Sequence, residues 1–309
     1  MGCKIDVNRN ERKLKFTQPV LIKSLHNEFN LRDKEYYTPA NPGQVLSPSE
    51  DGDVLNPKIQ TMYCSGVGKL IHLMQWSRLE IYNAVRELTM HLGKCNKFHV
   101  NAMKRTMQYC TTTPERGWQI SPKQKWDGID KNFLFEMIGL PDASFAKCKR
   151  TRRSVTGINV LFEGVVLVAK SSMQKIVALS TAEAEVIAMV MCVQEMLYID
   201  KVVTSMSLKV KKPMLVKCDN KGAVDLVNRW AVGGGKKHID IRLAFLRELK
   251  ELKVICVEWI ESGENTSDLH TKNLDQATFE KHTKVHVGND EYFAAVDVVD
   301  SEARRSVGE

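Results

Sequence analysis

No apolar run in this sequence approaches the ~20 residues that a membrane-spanning helix needs, so no membrane association is expected. The start, Met1-Gly2-Cys3-Lys4-Ile5-Asp6, lacks the apolar core of a secretory signal. Gly2 would suit myristoylation, but Asp6 stands where that motif wants Ser or Thr. Cysteines are present but scattered: Cys3, Cys64, Cys95, Cys110, Cys148, Cys192, Cys218 and Cys256 form no Cys-x-x-Cys pair. That spacing argues against a zinc site and against a disulfide framework, and for reduced thiols in a cytoplasmic or nuclear protein. No internal repeat is visible.

What the chain does have is length, a core and positive charge. Its 309 residues can hold two domains, and a hydrophobic fraction of 43% is enough for ordinary cores. A net charge of +8 and a pI of about 9.0 favour a polyanionic partner.

The chain opens with two alternating segments, 4–7 and 13–16, around Asn8-Arg9-Asn10, which predicts a hairpin. Pro19 then starts a helix striped by Val20, Leu21, Leu25 and Phe29. Residues 38–58 read as a loop. Apolar residues at helical spacing follow, from Val67 to Cys110, and they read as core. A polar break over 111–131 carries Pro114, Gly117, Pro122 and Gly128. Beyond it the pattern is β-β-β-α-β-α-β: strands 133–140, 154–162 and 164–170, a helix 181–204, a strand 214–218, a short helix 221–229, a helix 239–251 and a strand 254–260. A last helix is expected from about Thr266. The links predict that the first three strands are antiparallel and the later two parallel.

Four acids lie in settings suited to metal-binding carboxylates: Asp142, Glu185, Asp219 and Asp268. Asp142 and Asp219 follow apolar, strand-like runs; Glu185 and Asp268 sit in helix-like segments. An α/β fold that gathers them would hold two Mg²⁺ ions, or Mn²⁺, and such a pair cleaves phosphodiesters. Mg²⁺ is hard and prefers oxygen, so carboxylates suit it and Cys or His would not, and a carboxylate cluster without Lys or Arg among its members is informative. Glu183 competes with Glu185; the spacing to Ile187 and Met189 favours Glu185 and leaves Glu183 as an exposed first-turn acid. Pro141 is at odds with a central strand, because proline donates nothing to a ladder. His270 reads as a surface residue. Lys149, Arg150, Arg152 and Arg153 form a dense basic run that suits phosphate contact or, equally, a solvated hairpin tip. Lys236 and Lys237 are a second basic pair, in a glycine-rich connection. Trp118 and Trp126 are expected to pack rather than stack on bases.

Several motifs carry a family resemblance. Val177-Ala178-Leu179-Ser180-Thr181-Ala182-Glu183-Ala184-Glu185, Cys218-Asp219-Asn220-Lys221-Gly222-Ala223, Lys237-His238-Ile239-Asp240-Ile241-Arg242 and Thr266-Ser267-Asp268-Leu269-His270-Thr271-Lys272 resemble, in order, the ribonuclease H part of copia-type LTR retrotransposon polyproteins. Arg153-Ser154-Val155-Thr156-Gly157 is similar to its second strand. Tyr63-Cys64-Ser65-Gly66-Val67-Gly68-Lys69-Leu70 and Ala102 to Tyr109 resemble helices that lie before that domain. The likeness runs from residue 1 to about 283.

The resemblance implies a ribonuclease H-like α/β domain at 132–283 with a mixed five-stranded sheet. It implies a mostly helical thumb or connection-like segment at 1–118, a linker at 119–131, and a disordered tail at 284–309. It implies metal-dependent cleavage of RNA in RNA–DNA hybrids, with Asp142, Glu185, Asp219 and Asp268 as catalytic metal ligands. The upstream polymerase portion of the same polyprotein is an expected partner. No Tyr-x-Asp-Asp is present, so no polymerase activity is expected from this chain alone. One departure stands out: the family's Asp-Ala-Asp-Trp is here Asp142-Ala143-Ser144-Phe145. A decayed fragment that binds nucleic acid or a partner without cutting is therefore the alternative expectation.

Overall fold

The computed structural model describes residues 2–50, 55–124, 126–229 and 237–287, without side-chain detail at 237–240. The predicted hairpin forms from β1 (Lys4–Asn8) and β2 (Lys13–Thr17), with Ile5 opposite Phe16. Pro19 opens α1 (Pro19–Phe29), where its missing N–H costs nothing. Next come α2 (Pro57–Trp76), a 3-10 turn (Leu79–Ile81), α3 (Tyr82–Thr89) and α4 (Lys97–Thr112), capped by Asn96. Their inward faces, including Leu25, Tyr63, Leu70, Val85 and Met107, form one core. Inside it Arg78 and Glu80 pair at 2.6 Å with both side chains fully buried.

Residues 118–120, at the start of the polar stretch, form β3 (Trp118–Ile120), a third strand on the hairpin. Trp118 stacks on Phe16 at 5.2 Å, and its indole donates to the Val166 carbonyl at 3.0 Å. Trp126 meets Phe135 edge-on, so both tryptophans pack.

A short pair, β4 (Leu134–Phe135) and β8 (Lys209–Val210), flanks the main sheet. That sheet consists of β5 (Met137–Ser144), β6 (Val155–Phe162), β7 (Val165–Met173), β9 (Met214–Cys218) and β10 (Ile255–Trp259), in the order β10-β9-β5-β6-β7. The pairs β5–β6 and β6–β7 are antiparallel; β5–β9 and β9–β10 are parallel. The fold is thus α/β with a mixed five-stranded sheet, as the strand links predict. The long helix α5 (Thr181–Ser205) packs on it through Val186, Met189, Cys192 and Met196. The helices α6 (Lys221–Asn228) and α7 (Lys237–Glu251) complete that layer.

Three expectations change. β5 runs to Ser144, because its ladder with β6 continues to Ser144–Val155; Asp142 therefore lies inside the strand, not after it. Pro141 is tolerated because the ladder to β9 registers only at Ile138–Leu215 and Gly139–Val216 and has ended before it. Thr266 begins a 3-10 turn (Thr266–His270), and the last helix, α8 (Gln276–Val287), starts ten residues later. The chain cannot stay helical in between because Asn273 is drawn off to the 41–46 loop: its carbonyl accepts from the Gly43 N–H and its side chain donates to the Gln44 carbonyl. Residues 284–287 complete α8, and the rest of the expected tail lies outside the described residues.

The closing segment touches both cores. Leu269 and Phe279 pack among the N-terminal helices. Arg116 holds Glu280 at 2.6 Å, and Tyr109 meets Phe279 edge-on. The turn 266–270 at the same time lies across β5 and β6.

Candidate metal centre and nucleic-acid face

β5 and β9 are parallel neighbours, so their C-terminal ends share one edge, the usual place for a site in such sheets. Asp142 lies at that end of β5 and Asp219 directly after β9. The turn 266–270 brings Asp268 over the same edge. One carboxylate oxygen from each of Asp142, Asp219 and Asp268 lies within 4.8 Å of the others. Glu185, in the first turns of α5, joins from behind: its oxygen, the Cys218 sulfur and an Asp219 oxygen form a second group within 4.8 Å. The structure thus brings together all four acids named from the sequence.

Hydrogen bonds fix three of them: Glu185, Asp142 and Asp219. Glu185 accepts from the Ala143 N–H at 3.2 Å. Asp142 accepts from the Thr271 hydroxyl. Asp219 accepts from Ser262 at its carboxylate, and its carbonyl takes the Trp259 indole N–H at 3.0 Å. Asn265 and Ser267 donate to the carbonyls of Pro141 and Leu140, stapling the turn onto the part of β5 that β9 leaves unpaired. Gly157 makes that close approach possible: a Cβ there would lie 2.7 Å from the Ser267 carbonyl oxygen and 2.7 Å from the Thr271 methyl.

Glu183 goes elsewhere. It is buried, and its carboxylate accepts from the Leu179 N–H at 2.8 Å while Ser180 accepts from the Glu183 N–H. It closes the start of α5 as a cap instead of standing exposed.

Crowded, buried carboxylates resist ionisation. Burial first, and then the Asp268 charge, raise the Asp142 pKa to about 6. Burial, Asp142 and Asp219 push Glu185 up to about 9. Asp219 is raised for the same reasons.

Two readings from sequence are corrected here. A lysine does belong to the cluster: Lys272 Nζ sits 2.7 Å from Asp268 Oδ1 and 4.0 Å from Asp142 Oδ2. Burial opposes its charge, but Asp142 and Asp268 more than compensate and raise its pKa. Its place four residues after Asp268 on a tight turn makes the contact local, and the Thr271-Lys272 pair was the available signal. His270 is not at the surface; it is fully buried, with Nε2 2.8 Å from Asn159 Oδ1, because its turn is pressed against β6.

The donor set fits a hard divalent cation. Its first group is wholly carboxylate oxygen, burial and neighbouring acids raise the pKa of Asp142, Glu185 and Asp219, and among the described residues Lys272 pairs with Asp268. The Cys218 thiol lies behind Glu185, 3.8 Å from Oε2, and is fully buried.

No protein-family model matches the chain. It is 30% identical over 284 residues to the retrovirus-related Pol polyprotein from transposon TNT 1-94 of Nicotiana tabacum, covering 91% of this chain and 21% of that protein. The corresponding polyprotein from transposon RE1 of Arabidopsis thaliana is 26% identical over 247 residues, 80% of this chain and 16% of the relative. The chain is related to copia-type retrotransposon Pol polyproteins. It spans no more than about a fifth of their length. Among solved structures, LC11 ribonuclease H1 in complex with an RNA/DNA hybrid covers 45% of this chain and 94% of its own, at 15% identity and a TM-score of 0.35.

In this Pol-related chain the basic run lies in the turn between β5 and β6, after Ser144 and so at the acid edge of the sheet. Lys149, Arg150, Arg152 and Arg153 are all exposed, whereas Cys148, just before them, is buried. Lys236 lies outside the described residues, and Lys237 starts α7 without a described side chain. No helix among the described residues is long and apolar enough to cross a membrane.

Proposed function

We propose that this chain hydrolyses the RNA strand of RNA–DNA hybrids, using divalent ions held by Asp142, Glu185, Asp219 and Asp268. The observation that carries the reading is the convergence of three aspartate oxygens within 4.8 Å at the sheet edge, beside an exposed basic turn. Relatedness to copia-type Pol polyproteins supports it.

Bound Mg²⁺ or Mn²⁺ would supply the Lewis acidity that activates water and stabilises the leaving oxygen. The residues do the rest. Asp142, locked by Thr271, and Asp219, locked by Ser262 and Trp259, fix two carboxylates at the edge. Glu185 holds its proton until counter-charge arrives, because burial and two neighbouring acids disfavour its anion. Lys272 offsets the charge of Asp268 and must yield it when a divalent ion binds. Lys149, Arg150, Arg152 and Arg153 hold the phosphate backbone without reading sequence.

A second reading rests on Lys272. An ammonium already paired with Asp268 can serve as a permanent counter-ion, leaving a fold that binds nucleic acid but cuts nothing. One experiment separates the two. A labelled hybrid is incubated with the protein in EDTA, Mg²⁺ or Mn²⁺, alongside Asp219→Asn. Hydrolysis is expected only with metal and only in the unaltered chain, while hybrid binding persists in Asp219→Asn. Binding without cleavage at any metal concentration would assign the second reading.

A further inference from the structure

A cavity of about 330 Å³ lies between α3, α4 and the 34–46 loop. Tyr36, Asn41, Phe98, Asn101, Arg105 and Asn273 shape it. The guanidinium of Arg105 lies over the Tyr36 ring, 4.1 Å from its centroid, and donates to the Thr38 hydroxyl at 3.0 Å and the Ala40 carbonyl at 3.5 Å. All of these partners are neutral. Its Nε is buried and has no hydrogen-bond partner among the described residues, and no described carboxylate pairs with it. Lys34 places a second cation 5.0 Å from the same ring. The sole acid in the lining, Glu87, is taken up by Arg86 at 3.4 Å and by the Asn273 amide at 3.2 Å.

Phe98, in the cavity lining, is 72% exposed, so its ring is open to a ligand. Two cations beside one tyrosine ring, an exposed phenyl ring and side-chain amides in one lining are complementary to an anion joined to a flat heterocycle. Cavities of about this volume upward hold small ligands, and aromatic rings with nearby cations are how proteins hold unpaired nucleotides.

We infer that this cavity binds one unpaired nucleotide, its phosphate toward Arg105 and Lys34 and its base against Phe98. The ligand is either a free mononucleotide or an unpaired residue of a strand. Asn273, in the cavity wall, directly follows Lys272, so the site adjoins the loop that carries Asp268. The inference does not depend on the metal reading.

The test is calorimetric titration of the full chain, in EDTA and at low salt. The ligands are adenosine 5′-monophosphate, adenosine, inorganic phosphate and a short single-stranded oligodeoxynucleotide. The monophosphate is expected to bind one per chain, about tenfold or more tighter than adenosine or phosphate alone. Phe98→Ala, an exposed change that leaves the core intact, should weaken it about fivefold or more, the range of a lost stacking partner. Arg105→Gln should weaken it at least as much, and Asp219→Asn should leave it unchanged. An oligonucleotide that binds more tightly and shares both sensitivities assigns the strand as ligand; a monophosphate that binds while the oligonucleotide does not assigns the free nucleotide. No binding of either, or binding indifferent to Phe98→Ala, overturns the site.

Discussion

Lys272 and Asp268 form an ion pair at 2.7 Å inside a group of acids that would otherwise repel one another. This pair sets the charge balance at that edge of the sheet. Lys272→Met removes the one cation, so the metal-free protein should be less stable. Magnesium should then raise its melting temperature by more than in the unaltered chain, because no ammonium competes for Asp268. Thermal melts with and without Mg²⁺ give both numbers. An equal or smaller magnesium increment in the variant would show that Lys272 does not compete with metal.

Gly157 should not tolerate a side chain. A Cβ there meets the Ser267 carbonyl oxygen at 2.7 Å, and that atom belongs to backbone that cannot swing away. Gly157→Ala should lift the 266–271 turn off β6, costing about 1–3 kcal/mol as overpacking does. It should weaken metal binding by displacing Asp268 and Thr271. Denaturant melts and a Mn²⁺ titration check it; an unaltered Mn²⁺ affinity would mean the turn does not depend on that contact.

The basic turn can be tested apart from the chemistry. Replacing Lys149, Arg150, Arg152 and Arg153 together by Gln should weaken hybrid binding. It should also flatten its log–log salt dependence by up to ~0.9 per lost phosphate contact. All four are exposed, so the fold should survive. Unchanged affinity and slope would identify a solvated hairpin tip.

The raised carboxyls predict a pH signature. Asp142, near 6, and Glu185, near 9, hold protons in the folded state that the unfolded chain has already released. Their contribution is therefore greatest at low pH and is lost as pH rises through 6 and then 9. Buried His91 and His286, both lowered to about 4, act in the opposite direction, but only below their ordinary range: stability falls as pH drops from about 6.5 toward 4. Above pH 6.5 the carboxyls dominate. In EDTA the melting temperature should fall from pH 6.5 to 9, and Mg²⁺ should flatten that slope by replacing the protons. Melts across this window with and without Mg²⁺ decide it; a slope unaffected by Mg²⁺ would refute metal binding at these acids.

By itself the sequence determined the opening hairpin, the five strands of the main sheet with the helices between them, and the antiparallel start of that sheet. It also determined the identity of the four acids, because apolar periodicity and short links act locally and the motifs lie in contiguous segments. It also placed Lys149 to Arg153 in a turn between two strands. The tertiary structure decided what depends on contacts across the chain. The register of β5 against β6 put Asp142 inside its strand, and the early end of the β9 ladder made room for Pro141. The docking of the 265–272 turn buried His270 and swung Lys272 among the carboxylates. Glu183 and Glu185 lie two residues apart with the same side-chain chemistry. Only the backbone N–H of Leu179 beside one, and the two aspartates beside the other, separated a helix cap from a member of the acid cluster. Hydrogen bonds between residues more than a hundred positions apart, such as Asn265 to Pro141 and Thr271 to Asp142, leave no periodic trace in a sequence, so the packed chain alone shows them.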